Sequence, residues 1–210
     1  MKLSVVATTI FTLTLGFYTP KGTAAPIKTP KTFKEWCQQK ASLPQETRRT
    51  VEALLKVAKT RNCSQANQTL TKLTSLELWG NKISDIKPLS NLTKLTSLDL
   101  LGNKISDIKP LSNLTNLTSL DLSVNKISDI DIKPLSNLTN LTALYLWKNQ
   151  ISDIKPLSNL TNLTYLDLSV NKISDIQPLS NLTKLTEVDL AKNPLTSKQC
   201  PLKPESICKF

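Results

Sequence analysis

The sequence contains no histidine. That removes the usual general base near neutral pH and the commonest protein ligand for transition metals. Only 4 glycines occur in 210 residues, which all but excludes the glycine-rich loops that cradle phosphates. Aromatic residues make up just 5% of the chain. No apolar run is long enough to cross a bilayer twice, yet the 39% hydrophobic content is too high for a disordered chain. Acidic residues are also in deficit, 16 against 27 Lys and Arg, for a net charge of +11. What remains is one globular or repetitive domain.

The amino terminus reads as an address. Lys2 is followed by an uncharged, weakly apolar run from Leu3 to Tyr18, then small residues at Gly22, Thr23, Ala24 and Ala25. This is the pattern of a secretory signal peptide. Cleavage after Ala25 would leave Pro26 at the first mature position, so the expected cut follows Ala24, giving a leader of 1–24. The apolar run is short for the ~20 residues of a spanning helix and is diluted by threonine, which argues against a membrane anchor. Loss of Lys2 and Lys21 lowers the net charge to +9. Residues 25–31, with Pro26 and Pro30, read as a flexible linker. Four cysteines, Cys37, Cys63, Cys200 and Cys208, fit two disulfides in an oxidising compartment, and sequence alone permits three pairings.

Self-similarity dominates the rest. From Leu70 the chain reads LTKLTSLELWGNKISDIKPLSN, and the unit recurs from Leu92, Leu114, Leu138 and Leu160, with a truncated sixth copy from Leu182. Successive starts lie 22, 22, 24 and 22 residues apart, the longer copy carrying a doubled Asp-Ile at Asp129–Ile132. Each copy follows L-x-x-L-x-x-L-x-L-x-x-N-x-I. The alternating Leu76-Glu77-Leu78 has the period of a short half-buried strand with its leucines inward. An asparagine follows in every copy (Asn81, Asn103, Asn125, Asn149, Asn171, Asn193), where a buried turn needs a side-chain amide to pair its backbone groups. The Ile-Ser-Asp-Ile-Lys-Pro-Leu segment then predicts a compact outer crossing of 3₁₀ or extended form.

This unit resembles the leucine-rich repeat family, most closely the bacterial 22-residue type of the internalins. The resemblance covers Leu70 to Leu195 and implies an α/β repeat solenoid. Its parallel β-sheet lines the concave side, with 3₁₀ turns and loops on the convex side. It also implies that the concave side binds another protein. Solenoid ends expose core and need covers. Residues 32–69 predict a helical amino-terminal cap of two short helices. Thr32-x-x-Glu35 and Ser42-x-x-Gln45 read as capping boxes, and Val51, Leu54, Leu55 and Ala58 share one face. Phe33 and Trp36 read as core. Residues 196–210 predict a carboxyl-terminal cap. Six strands at ~4.8 Å hold the caps more than ~20 Å apart. A disulfide needs Cα atoms within ~7 Å, so the predicted pairs are Cys37–Cys63 and Cys200–Cys208.

Differences between copies concentrate on outward strand positions. Between the strand leucines stand Glu77, Asp99, Asp121, Tyr145, Asp167 and Asp189; after them, Trp79, Leu101, Ser123, Trp147, Ser169 and Ala191; before them, Ser75, Ser97, Ser119, Ala143, Tyr165 and Glu187. Stacked carboxylates repel, so an acidic column has a cost that neutral polar residues would avoid. Trp79 and Trp147 fall three copies apart in one column, ~14 Å, with Leu101, Tyr145 and Tyr165 nearby. Aromatics rimmed by charge have the composition of an interaction hot spot. The expected partner-binding set is therefore Trp79, Leu101, Tyr145, Trp147, Tyr165, Glu77, Asp99, Asp121, Asp167 and Asp189.

Paired carboxylates at ~5 to 10 Å could serve a glycosidase, but an open sheet face neither raises one acid's pKa nor excludes water. No nucleophile–base pair or metal-ligand cluster stands out, so neither an enzyme nor a cofactor is expected. The alternative function is polyanion or envelope-surface binding. It would act through two lysine rows, Lys82, Lys104, Lys126 and Lys172, and Lys87, Lys109, Lys133 and Lys155. Nucleic acid is disfavoured by the secretory leader and by the lack of aromatics between those lysines. A blander account has the outer lysines partly neutralise Asp85, Asp107, Asp129, Asp153 and Asp175, which would cap the outer turns. The Asn-Leu-Thr glycosylation acceptors at Asn91, Asn113, Asn137, Asn159 and Asn181 are by-products of the repeat. No wall-attachment motif or transmembrane tail is expected after the repeats.

Overall fold

In each copy the two leucines that flank one outward residue can be buried only if that tripeptide is extended, because period-2 alternation places both on the same side. The computed structural model, which describes residues 29–129 and 131–210, contains six such strands: β1 (Ser75–Glu77), β2 (Ser97–Asp99), β3 (Ser119–Asp121), β4 (Ala143–Tyr145), β5 (Tyr165–Asp167) and β6 (Glu187–Asp189). They pair in parallel in chain order, with a seventh, β7 (Cys208–Lys209), at the end. The sheet lines one side of a stack of repeats, and the crossings line the other. The expected leader 1–24, residues 25–28 of the linker and Ile130 lie outside the described residues. Five outer crossings contain 3₁₀ turns starting at Lys87, Lys109, Lys133, Lys155 and Gln177. Each has proline in its first positions, where the missing N–H needs no acceptor. Strand leucines and crossing leucines and isoleucines form one continuous core.

The asparagine after each strand joins one copy to the next. Asn125 Oδ1 accepts the Ile105 N–H at 3.0 Å, and its Nδ2 donates to Leu100 and Leu122 carbonyls at 3.0 Å. Asn103, Asn149, Asn171 and Asn193 repeat this pattern. Each amide therefore satisfies groups of the preceding copy as well as its own. Asn81 has no preceding copy, is exposed and donates only to the Trp79 carbonyl. A second ladder runs beside the first, in which the hydroxyls of Thr96, Thr118, Thr142, Thr164 and Thr186 donate to the threonine carbonyl one copy earlier.

To bring the asparagine inward, the preceding residue turns left-handed in all six copies: Gly80, Gly102, Val124, Lys148, Val170 and Lys192, with φ from 54° to 68°. Glycine fits that region without penalty, whereas a β-branched valine there is strained. Val124 and Val170 hold it nonetheless, since the turn is dictated by the ladder on either side.

The amino-terminal cap departs from expectation. Three helices form, not two: α1 (Phe33–Gln38), α2 (Gln45–Val57) and α3 (Cys63–Leu70). Thr32 and Glu35 make the predicted capping box on α1. Ser42 does not cap α2. It ends a 3₁₀ turn, and α2 begins after Pro44 with no side-chain cap. Pro44 forces the preceding Leu43 into an extended conformation, so a helix cannot start earlier. Sequence reading missed α3, although Asn62 caps it and Ala66 and Leu70, four residues apart, are buried. Phe33, Trp36, Val51 and Leu54 are buried, while Leu55 is only partly so. The cap docks on the first copy through Thr47 and Thr50, whose hydroxyls donate to Asp85 Oδ2 and the Asp85 carbonyl at 2.5 and 2.6 Å. The structure pairs Cys37 with Cys63 and Cys200 with Cys208, with Cα separations of 5.5 and 5.7 Å. β7 also escaped the sequence reading, since the repeat pattern has ended there.

Two outcomes follow for stability. Asn125→Ala strands several buried backbone groups and should cost on the order of 3 kcal/mol in urea titration, whereas Asn81→Ala, at the ladder's open end, should cost less than about 0.5. Val124→Gly should melt no lower than wild type, because relief of about 1–3 kcal/mol of strain offsets glycine's chain entropy. The reverse change, Gly102→Val, should lower the melting temperature, although a Cβ there meets no atom closer than 3.9 Å.

Candidate functional site

Strict parallel register converts the sequence columns into physical rows. Glu77 faces Asp99, Asp99 faces Asp121, Asp121 faces Tyr145, Tyr145 faces Asp167, and Asp167 faces Asp189. The seventh strand then places Lys209 opposite Asp189, and its ammonium pairs with Glu187 at 2.6 Å. Thus all ten expected partner-binding residues lie on one sheet face or the turn at its edge. Lys209 is an addition that no repeat pattern signalled.

The acidic column has an internal task. One carboxylate oxygen of Asp99, Asp121, Asp167 and Asp189 accepts the N–H two residues on, from Leu101, Ser123, Ser169 and Ala191, at 2.7–2.9 Å. These side chains hold the exit from strand to turn, which offsets the repulsion along the column. Glu77 and Tyr145 make no equivalent bond. The copies that forgo this aspartate are the same two that carry tryptophan after the strand. Trp79 is 61% exposed and Trp147 38%, while Ser123 and Ser169 in the same row are buried.

Two tyrosines of neighbouring strands meet on this face. Tyr145 and Tyr165 rings lie 5.1 Å apart, tilted by 38°, and the small Ala143 is the register partner of Tyr165. Lys148 Nζ sits 5.9 Å from the centre of the Trp147 ring, within cation–π range. The face carries a negative field. Burial raises the pKa of Asp121 above its ordinary value. Hydrogen bonds from Ser123 oppose the rise, and the charges of Asp99 and Asp167 add to it. Burial also raises Tyr165, reinforced by Asp167 and Glu187.

On the convex side the outer aspartates hold the turns as expected, whereas their neutralisation by lysine is confined to one pair among the described residues. Among the described residues only Lys87 lies within ion-pair reach of an outer aspartate, Asp85, at 3.9 Å. Asp85, Asp107, Asp153 and Asp175 instead accept the N–H two residues on. Asp129, displaced by the insertion, accepts hydrogen bonds from Ser152 and from the Asp153 N–H in the next copy. Burial works against its charge, but these bonds outweigh it and hold its pKa low. Among the described residues no cluster of Cys, Asp or Glu could hold a metal ion, and no helix is long and apolar enough to cross a membrane.

The family profile described as leucine-rich repeats (two copies) matches residues 71–113, 115–159 and 161–203. The chain belongs to the leucine-rich repeat family. Among solved structures it is similar to internalin C2 of Listeria monocytogenes, with 40% identity and TM-score 0.60 over 69% of this chain and 63% of that one. Internalin F of the same organism shares 34% identity at TM-score 0.59, over 76% of this chain and 54% of that one. The plant peptide hormone receptor RGFR1, solved in complex with RGF2, shares 29% identity at TM-score 0.52, over 60% of this chain and 22% of that one. The chain thus spans less than two thirds of either internalin. No curated protein sequence matches it. Leucine-rich repeat proteins, internalins and receptor ectodomains among them, are protein-interaction modules.

The raised pKa of Asp121 gives a signed expectation. Its ionised form is less favourable in the folded chain than in the unfolded one, so folded protein takes up the proton first as pH falls. Asp121→Asn keeps an acceptor for the Ser123 N–H and removes the charge. The variant should be more stable than wild type at pH 7, with the gap closing towards about pH 4. Urea titrations at both pH values measure it; a gap that widens on acidification would contradict the assignment.

Proposed function

We propose that the protein is an exported, non-catalytic module that binds a protein partner through the concave face of its sheet, with Trp79 and Trp147 as the main anchors. The observation that carries this reading is the coincidence at two copies. Where the turn-holding aspartate is given up, at Glu77 and Tyr145, a solvent-exposed tryptophan follows. Losing the aspartate and exposing an indole both work against the fold, so the pair of changes fits selection for contact. Leu101, Tyr145 and Tyr165 extend the apolar area, and exposed aromatic clusters concentrate binding energy. Asp99, Asp121, Asp167 and Asp189 engage the turn and also provide a negative field, which steers a partner of complementary charge. Residues 32–69 and 196–210 act as covers for repeats 70–195. Export through the leader 1–24 is supported by the two disulfides, which persist in oxidising compartments.

A second reading has its own observation. Lys109, Lys133 and Lys155 have no carboxylate within 4.0 Å among the described residues, leaving an uncompensated row suited to a polyanion or anionic envelope surface.

The two readings separate on mutation. With the partner captured from the extracytoplasmic fraction, Trp79→Ala and Trp147→Ala should each weaken binding by roughly 2 kcal/mol or more while melting hardly changes. Asp99→Asn should mainly slow association and flatten its salt dependence. Affinity that survives both tryptophan changes but collapses on neutralising Lys87 and Lys109 would transfer the function to the convex side.

A further inference from the structure

A groove of about 800 Å³ is lined entirely by residues of the amino-terminal cap. Its floor is the Cys37–Cys63 disulfide and the partly buried Leu55. Lys40, Lys56, Lys59 and Arg61 surround it, against the single acid Glu52. None of the four cations has a carboxylate within 4.0 Å among the described residues. Lys56 and Lys59 stand at the carboxyl end of α2, where positive charge answers the helix dipole. That dipole amounts to about half a charge, so it accounts for neither the excess nor the placement of Lys40 and Arg61.

We infer that this groove is a second binding site, and that it takes an acidic, leucine-bearing peptide segment of a partner protein. The arrangement favours a chain over a compact anion. A single phosphate needs donors that converge, usually with backbone N–H groups at a helix start. Here the end of α2 offers carbonyls, and at the start of α3 the Ser64 and Gln65 N–H groups already donate to Asn62 Oδ1. The cations come from the 3₁₀ turn after α1, the end of α2 and the α2–α3 loop. Charges spread in this way match carboxylates spaced along a backbone. Arg61 can grip one in bidentate fashion, and the apolar floor accepts an intervening aliphatic side chain. The site is opposite in sign to the concave face, so the two would hold different segments.

The test is fluorescence anisotropy with the intact chain and a dye-labelled octapeptide alternating glutamate with leucine. Saturable binding is expected, weakened about tenfold or more by Lys56→Glu with Arg61→Glu and tightened about twofold by Glu52→Gln. Lys109→Glu with Lys155→Glu, on the convex side, should change it less than about twofold. These side chains are exposed, and unchanged melting verifies folding; Glu52→Gln, with its opposite sign, provides an independent check. The inference is overturned if the peptide does not bind, if the outer lysine pair matters as much as the groove pair, or if a glutamine–leucine octapeptide binds equally well. Capture of phosphatidylglycerol vesicles in place of the peptide, lost in the groove variant, would overturn it in favour of a lipid surface.

Discussion

One constraint governs this molecule: a stack of tight turns buries backbone groups that no regular ladder can pair. From the second copy onward a single asparagine resolves it by bonding backward to the preceding copy and inward to its own. Because an unpaired buried group is costly, the position has no freedom. The 24-residue copy shows how strict this is. Asn149 still meets the Ile127 N–H and the Leu122 carbonyl across the longer repeat, so the extra residues are displaced to the outer crossing. There Asp129 and Asp131 find new donors in Ser152 and Ser128.

An interior so tightly specified leaves variation only where it does not disturb the stack. The outward strand positions are such places, and they hold the departures from repetition: two tryptophans, two tyrosines and the strained valines of the edge turn. The acidic column shows that a place on the candidate face does not by itself assign a role. Four aspartates that resemble a docking stripe also hold the exits of their own strands. Departures from that structural pattern are more informative than the pattern itself.

Finite stacks need ends, and the two covers solve the problem differently. The first uses a helical layer, with Thr47 and Thr50 clasping Asp85 of the first crossing. The second returns the chain as a short strand, whose Lys209 carbonyl accepts the Leu190 N–H that the sheet edge would otherwise leave open. Each is closed by a disulfide, as suits covers too small to hold themselves by core packing alone.

Period and spacing determined the solenoid. Leucines at fixed intervals, an asparagine after each alternating pair and proline in each crossing leave one way to bury the apolar set, and five full copies with a truncated sixth make the signal unmistakable. The columns of the candidate face were legible for the same reason, since identical spacing places equivalent residues side by side. The covers were less legible, because a helix such as α3 or a two-residue strand such as β7 carries too few periodic positions to stand out. Tertiary structure alone decided what each column does: that the aspartates accept N–H groups from their own turns, that the outer lysines stay largely unpaired, and that four cations from separate segments gather around one disulfide. Those outcomes depend on distances between atoms remote in sequence, and a hydrogen bond or ion pair forms only when folding has set those distances.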